Sequence, residues 1–411
     1  KWSVSCWLLG AALMGLLQVA DSSSGLPKGF EEVNFAHFKQ SLMKLWGQLT
    51  QRDPAQLAST LALAMSTQHL SRGLRKWARK ESCLPPDLRP IVNRIDTASA
   101  LIQLGYDPSR GSNIMGAGPL QNFKIVRASW DAKIFEPAYI ILQNFIKPHR
   151  YWIVIRGTYA VEDILTDIAA EPEKFMDGHV HKGILRSAEF IAGQIKECLK
   201  ETIRKPDPGK KNQQTEIFLV GHSLGGGAAA LATAMLRIDN HKAHAVVFGA
   251  PSCIHRATYL VNMLERHVTH IVLGDDIIPR LNNETLSRLL EQPDNTATEL
   301  LGAAKSFVFN SLRSVVADNR PLAKILGMDS SGTPMQCPPG RTYLLQAGHD
   351  HMDAGDRDQQ WDIDEVTCEG MGKIVLSPRM LTDHNVQSYV NAVQGAFLRY
   401  LPVCGAPRNE L

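Results

Sequence analysis

The stretch Thr215–Leu231, TEIFLVGHSLGGGAAAL, decides how the rest of the 411-residue chain reads. It opens as an apolar strand at Ile217–Val220, passes through Gly221-His222-Ser223-Leu224-Gly225, and runs on into small residues suited to a helix. Strand, sharp turn and helix form the setting in which G-x-S-x-G presents a serine nucleophile at the top of a sheet. Gly221 and Gly225 flank the turn, where a side chain would hold strand and helix apart. Gly226-Gly227 and the three alanines after them predict a helix start that packs tightly under a sheet. The bland alternative is a glycine-rich turn with a solvated serine.

Short β-rich runs precede this stretch at Phe123–Ala128, Tyr139–Asn144 and Tyr151–Arg156. The last is almost continuously apolar, as expected of a strand buried on both faces. Lys182–Arg204 predicts a helix. Beyond the elbow, strands are expected at Ala245–Gly249 and Val268–Gly274, and near Tyr343–Gln346 and Lys373–Leu376. Strands alternating with helices imply an α/β fold, with a mostly parallel central sheet flanked by helices on both faces.

Composition describes an ordinary folded protein, with 44% hydrophobic and 21% charged residues. A formal net charge of +3, with no basic run interleaved with aromatics, gives no support to nucleic-acid binding. Lys1, the apolar run Val4–Leu17 and small residues near Ala20 read residues 1–22 as a secretory signal peptide or a membrane anchor. That predicts the secretory pathway or a membrane association; with further sequence upstream, an organelle such as the chloroplast is the alternative. Residues 27–90 read as a helical N-terminal extension. Its basic cluster Arg72, Arg75, Lys76, Arg79 and Lys80 around Leu74 and Trp77 suits either a solvated face or a lipid surface. Residues 91–405 read as one α/β domain, with a helical insertion at 281–340 whose role the sequence does not disclose. Six cysteines lie outside the signal region, an even count that permits three disulfides without specifying their pairing. Asn283-Glu284-Thr285 fits a glycosylation acceptor.

A serine hydroxyl needs a base to take its proton, and the base needs a third group to orient it. In the strand–elbow–helix arrangement the acid follows the serine in the chain and the histidine follows the acid. Gly274-Asp275-Asp276 comes directly after the apolar strand Val268–Leu273, and on position alone either aspartate qualifies. His349, His351 and His384 lie beyond them. His384, in Leu381-Thr382-Asp383-His384-Asn385, stands just after a late strand and before the final helix, where a loop-borne base belongs. His349 and His351 belong to Gly348–Glu365, read as a solvated acidic loop. Its Asp353, Asp356 and Asp358 lack the spacing of a calcium loop.

Arg156-Gly157-Thr158, Asp163-Ile164-Leu165-Thr166-Asp167, His181-Lys182-Gly183, the GHSLGG elbow, Phe248-Gly249-Ala250-Pro251, Asp276-Ile277-Ile278-Pro279 and Asp383-His384 occur in that order. The series resembles the class 3 (fungal-type) lipases over roughly residues 120–400, and within them the sn-1-specific diacylglycerol lipase-like branch. The resemblance implies an α/β-hydrolase fold with Ser223 as nucleophile, Asp276 as acid and His384 as base. It also implies an oxyanion hole made by the Leu224 backbone N–H and by Thr158. Val161, Ile164, Leu165 and Ile168, at helical spacing, would form the lid that opens onto lipid. The chain departs from the family where Ile155 replaces the frequent Phe before Arg156, and the extension and insertion lie outside the family core.

The expected activity is a serine ester hydrolase cleaving acylglycerols such as diacylglycerol or triacylglycerol, with no metal and no organic cofactor. Its expected partner is a lipid ester at a membrane or lipid-droplet surface; oligomeric state is not legible. A phospholipase A1 or galactolipase would use the same triad on a more polar acyl carrier. A non-catalytic lipid-surface binding protein is the alternative of another class, and the presence of all three triad residues speaks against it.

Overall fold

The computed structural model describes Pro85 and residues 87–107, 120–157, 172–203, 215–255, 258–282, 336–347, 361–372 and 379–398. Residues 1–22, nearly all of 27–90, the Asn283 acceptor pattern, most of 281–340, the strand expected at Lys373–Leu376, and Asp353, Asp356 and Asp358 lie outside them. In chain order the elements begin with helix α1 (Val92–Tyr106). Strands β1 (Phe123–Ser129), β2 (Tyr139–Asn144), β3 (Arg150–Ile155), β4 (Pro172–Phe175) and β5 (Gly178–His181) follow. Helix α2 (Lys182–Ile203) leads to β6 (Glu216–His222), α3 (Leu224–Ile238), β7 (Lys242–Phe248) and β8 (Ile254–His255). Helix α4 (Thr258–His267) precedes β9 (Val268–Leu273), and after residues 283–335 come β10 (Gln336–Cys337), β11 (Arg341–Ala347) and β12 (Trp361–Val366). A short α5 (Cys368–Met371) and α6 (Val386–Leu398) complete the order.

Period-two alternation within the apolar runs gives the main sheet two buried faces. In β3, Tyr151, Ile153 and Ile155 join one apolar layer while Trp152 and Val154 join the other. In β6 the same split sends Ile217 and Leu219 one way and Phe218 and Val220 the other. The first layer is closed by α2, α3 and α4, and the second by α1 and α6. Residues such as Ile153 and Leu219 are fully buried, and truncating either to Ala costs about 2–5 kcal/mol. The eight strands run in the order β1-β2-β3-β6-β7-β9-β11-β12. From β3 to β11 the neighbours are parallel, and β1, β2 and β12 attach antiparallel at the ends. This is an α/β-hydrolase fold, in which the carboxyl ends of the parallel strands carry the functional loops.

The acidic loop expected over Gly348–Glu365 is corrected at its end, because Trp361–Val366 is a strand paired antiparallel with β11. It is the last strand of the sheet, with Asp364 and Glu365 exposed and Ile363 alone buried, so little apolar pattern marks it in the sequence. Helix α1 and the small sheet β10-β8-β5-β4 were not foreseen. The latter's strands have two to four residues each, too short for a hydrophobic period to register. Of the cysteines, Cys337 and Cys368 form a disulfide that ties β10 to α5, and Cys198 and Cys253 are buried thiols. Where residues 283–335 leave and rejoin the fold, Asn282 donates through Nδ2 to the carbonyl of Gln336 at 3.5 Å. Among the described residues no helix is long and apolar enough to cross a membrane.

Candidate active site

The elbow is a strained turn held from both sides. Ser223 sits between the end of β6 and the start of α3 at φ 59° and ψ −133°, a sparsely populated positive-φ conformation that costs a non-glycine residue about 1–3 kcal/mol. Its N–H donates to the Phe248 carbonyl at 3.0 Å, and its own carbonyl accepts the Gly226 N–H at 2.8 Å. The crossing of strand and helix is so close that a Cβ on Gly221 would stand 2.2 Å from the Gly225 carbonyl oxygen. Ser223 is fully buried, and its Oγ has no hydrogen-bond partner among the described residues.

The turn after β9 supplies the acid. Asp276 is fully buried, and its Oδ1 accepts the Ile278 N–H at 2.9 Å. Both of its oxygens lie within 3.0 Å of His384 Nδ1. An ionised carboxylate only accepts, so Nδ1 of His384 carries the proton and a neutral ring leaves Nε2 as a bare acceptor. That Nε2 is buried and without a partner. The backbone N–H of the neighbouring Asp275 donates to Asp383 Oδ2 at 2.8 Å. Between the two adjacent aspartates, the one that meets His384 is Asp276.

His384 lies in a turn just ahead of α6, and that turn is tied to the acid by the Ile277 N–H, which donates to the Met380 carbonyl at 3.1 Å. Three groups converge on Gly249, which closes β7 at φ +54°. A Cβ there would stand 2.7 Å from Asp276 Oδ2, 2.9 Å from the Tyr389 hydroxyl and 3.2 Å from His384 Nδ1. Only glycine fits this backbone and this space.

Two groups escaped the sequence reading. Tyr389, in the first turns of α6, donates its hydroxyl to Asp276 Oδ2 at 2.5 Å and accepts the Leu273 N–H at 3.1 Å. Burial, with the Asp276 charge next, pushes its phenol well above the ordinary range, so it remains a donor. Asp383, beside His384, is pushed up to about 6, chiefly by burial. No local pattern marks Tyr389, and the Asp383-His384 motif singles out only its histidine. Tyr389 reads as one more aromatic on the apolar face of the last helix, and Asp383 as part of a polar turn.

Leu224 opens α3, where the first N–H groups of a helix have no acceptor within it. Thr158 and the lid residues Val161, Ile164, Leu165 and Ile168 lie outside the described residues. Among the described residues no group of three or more His, Cys, Asp or Glu side chains is placed to hold a metal.

A family model for lipase (class 3) matches residues 152–286, the span from β3 through the acid turn. Diacylglycerol lipase-beta of Mus musculus is 30% identical over 187 residues, 43% of this chain and 27% of that protein. Diacylglycerol lipase-alpha of Homo sapiens is 26% identical over 293 residues, 63% of this chain and 27% of that protein. The chain therefore spans 27% of the length of these curated relatives. The crystal structure of the Lip2 lipase from Yarrowia lipolytica aligns with 50% of this chain and 78% of its own at 20% identity, with a TM-score of 0.40. Residues 152–286, which carry both Ser223 and Asp276, are thus similar to the class 3 lipases, and the curated relatives that the chain resembles are diacylglycerol lipases.

Proposed function

We propose that the chain is an acylglycerol lipase that cleaves carboxylic esters such as diacylglycerol or triacylglycerol through Ser223, His384 and Asp276. One observation carries this reading. Ser223 Oγ and His384 Nε2, the two atoms that must exchange a proton, are both buried and bonded neither to each other nor to any other described residue, while the far side of the His384 ring is fixed on Asp276. Buried polar atoms normally find partners, so such vacant capacity at these two positions is chemically informative.

The reaction follows from the protonation states. His384 Nε2 accepts the Ser223 proton as Oγ attacks the ester carbonyl, and the imidazolium so formed is stabilised by the Asp276 carboxylate. His384 then returns the proton to the departing glycerol oxygen. Water, deprotonated by the same nitrogen, releases the fatty acid from Ser223. The oxyanion of each tetrahedral intermediate is held by the Leu224 N–H at the start of α3, with Thr158 as the second donor. Each such donor is worth about 10²–10³ in rate. Val161, Ile164, Leu165 and Ile168 serve as the lid. The names of the curated relatives favour a diacylglycerol substrate, and an acylglycerol that dissolves poorly in water would be met at a membrane or lipid-droplet surface. Entry into the secretory pathway is supported by the apolar run Val4–Leu17 and by the Cys337–Cys368 bridge, since disulfides persist in oxidising compartments.

The test is a panel of diacylglycerol, triacylglycerol, phospholipid and galactolipid given to purified protein and to Ser223→Ala. Acylglycerols are expected to be the better substrates, and the variant to lose roughly 10⁴-fold or more in kcat. Unchanged hydrolysis by Ser223→Ala would end the proposal, and preference for the polar lipids would reassign the substrate. A fluorophosphonate probe should label Ser223, and the labelling should be lost in His384→Ala.

A further inference from the structure

A continuous hydrogen-bond chain joins the loop before Thr158 to the backbone of the base, and it passes through two side chains with no role so far. The Gly157 N–H donates to the Tyr106 hydroxyl at 3.1 Å. That hydroxyl lies 2.9 Å from His222 Nδ1, and His222 Nε2 lies 2.8 Å from the carbonyl oxygen of His384. Each proton in the chain has one consistent place. A carbonyl only accepts, so His222 Nε2 carries hydrogen. Burial, followed by the neighbouring His384, holds the His222 pKa well below the ordinary histidine value, so the ring is neutral and Nδ1 is a bare acceptor. Tyr106 must then donate to Nδ1 while its oxygen lone pair receives the Gly157 N–H.

The packing is equally directed. The His222 ring lies against the His384 ring, with centroids 4.6 Å apart and planes inclined by 32°. Tyr106 meets the opposite edge of His222 at 5.6 Å and 75°. His222 is 4% exposed and sits in the elbow immediately before Ser223, so its ring is fixed by the same strand that fixes the nucleophile. Tyr106 ends α1, outside the residues that match the family.

We infer that Tyr106 and His222 are positioning residues, which lock the His384 peptide and the Gly157 loop to the elbow that carries Ser223 and so fix where His384 Nε2 stands relative to it. This inference rests on the proposed Ser223–His384–Asp276 reading. Asp276 and Tyr389 orient the ring of His384 from its Nδ1 side; the Tyr106–His222 chain holds its main chain from the other. Neither residue touches substrate in this role. A misplacement of about 1 Å at the base can cost roughly 10²-fold in rate without changing what binds.

Three variants test it, assayed on a soluble short-chain p-nitrophenyl ester with thermal unfolding measured alongside. Tyr106→Phe removes one oxygen, His222→Leu removes both ring nitrogens, and His222→Gln keeps an N–H donor near the position of Nε2. Tyr106→Phe and His222→Leu are expected to lower kcat by about tenfold or more with KM within about twofold, and His222→Gln to recover kcat to within about threefold of the parent. If Tyr106→Phe lowers only the unfolding temperature and leaves kcat intact, the two residues are structural and the inference fails. It fails equally if His222→Gln is as slow as His222→Leu. Should His222→Leu not fold, the Tyr106→Phe result decides alone. Ser223→Ala, run in parallel, separates the two levels: full activity there overturns the triad, whereas its loss beside a normal Tyr106→Phe overturns only the positioning role.

Discussion

The Tyr389 hydroxyl stands 2.5 Å from Asp276 Oδ2, so the acid that orients His384 is itself held by a donor from the following helix. The Leu273 N–H completes the arrangement by donating to the same hydroxyl. Tyr389→Phe leaves a buried carboxylate short of a donor and a buried N–H without an acceptor. Hydrogen bonds to charged groups are worth about 1.5–3 kcal/mol, and a loss of stability of that size is expected. A kcat reduced by about tenfold should accompany it, because Asp276 then holds the ring less rigidly. Urea unfolding with steady-state kinetics checks both; an unaffected kcat would show that Asp276 needs no such support.

Gly249→Ala should inactivate the enzyme without unfolding it. At φ +54° the new methyl group would stand 2.7 Å from Asp276 Oδ2 and 3.2 Å from His384 Nδ1. Backbone strain of roughly 1–2 kcal/mol is added to an overpacking cost of about 1–3 kcal/mol. The relief available is displacement of Asp276 or His384, and a fall in kcat of about 10²-fold is expected. Circular dichroism should stay native-like while the rate collapses.

Asp383, although Arg379 lies 3.9 Å away, gives stability a pH dependence opposite in sign to that of a carboxylate whose pKa is lowered, because burial outweighs the pair. Burial lifts its pKa to about 6 from an ordinary 3.8, so between those values the folded state binds more protons than the unfolded one. Stability therefore falls as pH rises through that window, and above it the charged form costs up to about 3 kcal/mol. Asp383→Asn cannot ionise, yet its Oδ1 can still accept the Asp275 N–H. The variant should be more stable than the parent at pH 8, with the difference vanishing below about pH 4. Denaturant unfolding across that range measures it; parity at pH 8 would contradict the assignment.

The Cys337–Cys368 bridge closes a loop with a sequence separation of 31 residues. Chain-entropy arguments give such a cross-link about 3–4 kcal/mol. Replacing both cysteines by Ser is expected to lower stability by that amount. Reductant should then shift the melting temperature of the parent by more than that of the double variant.

The parts of the fold that the sequence disclosed are those where burial on two faces leaves an unbroken apolar run. Tyr151–Ile155 and Ile217–Val220 are such strands, and the glycines around Ser223 mark the place where two elements cross. His384 was legible through its position after the acid in the chain. What stayed hidden depends on partners distant in sequence. Asp275 and Asp276 are both buried and adjacent, and on position alone they are equivalent; Asp276 is set apart by His384, 108 residues away, and by Tyr389. Tyr106 is separated from His222 by 116 residues, so no spacing rule joins them. Trp361–Val366 looked like solvated acid because this edge strand carries exposed charge, which also discourages pairing with other chains.

The contact between Asn282 and Gln336 has a consequence for how this fold could diversify. The scaffold gives up its chain at one point after the acid turn and takes it back beside the same point, so the length and composition of residues 283–335 leave the strand order untouched. Lengthening a loop whose ends already meet costs only about 0.6 kcal/mol per doubling. Substrate choice, regulation or attachment could therefore be rewritten between Asn282 and Gln336 as an exchangeable cassette, while the chemistry at Ser223 is inherited unaltered.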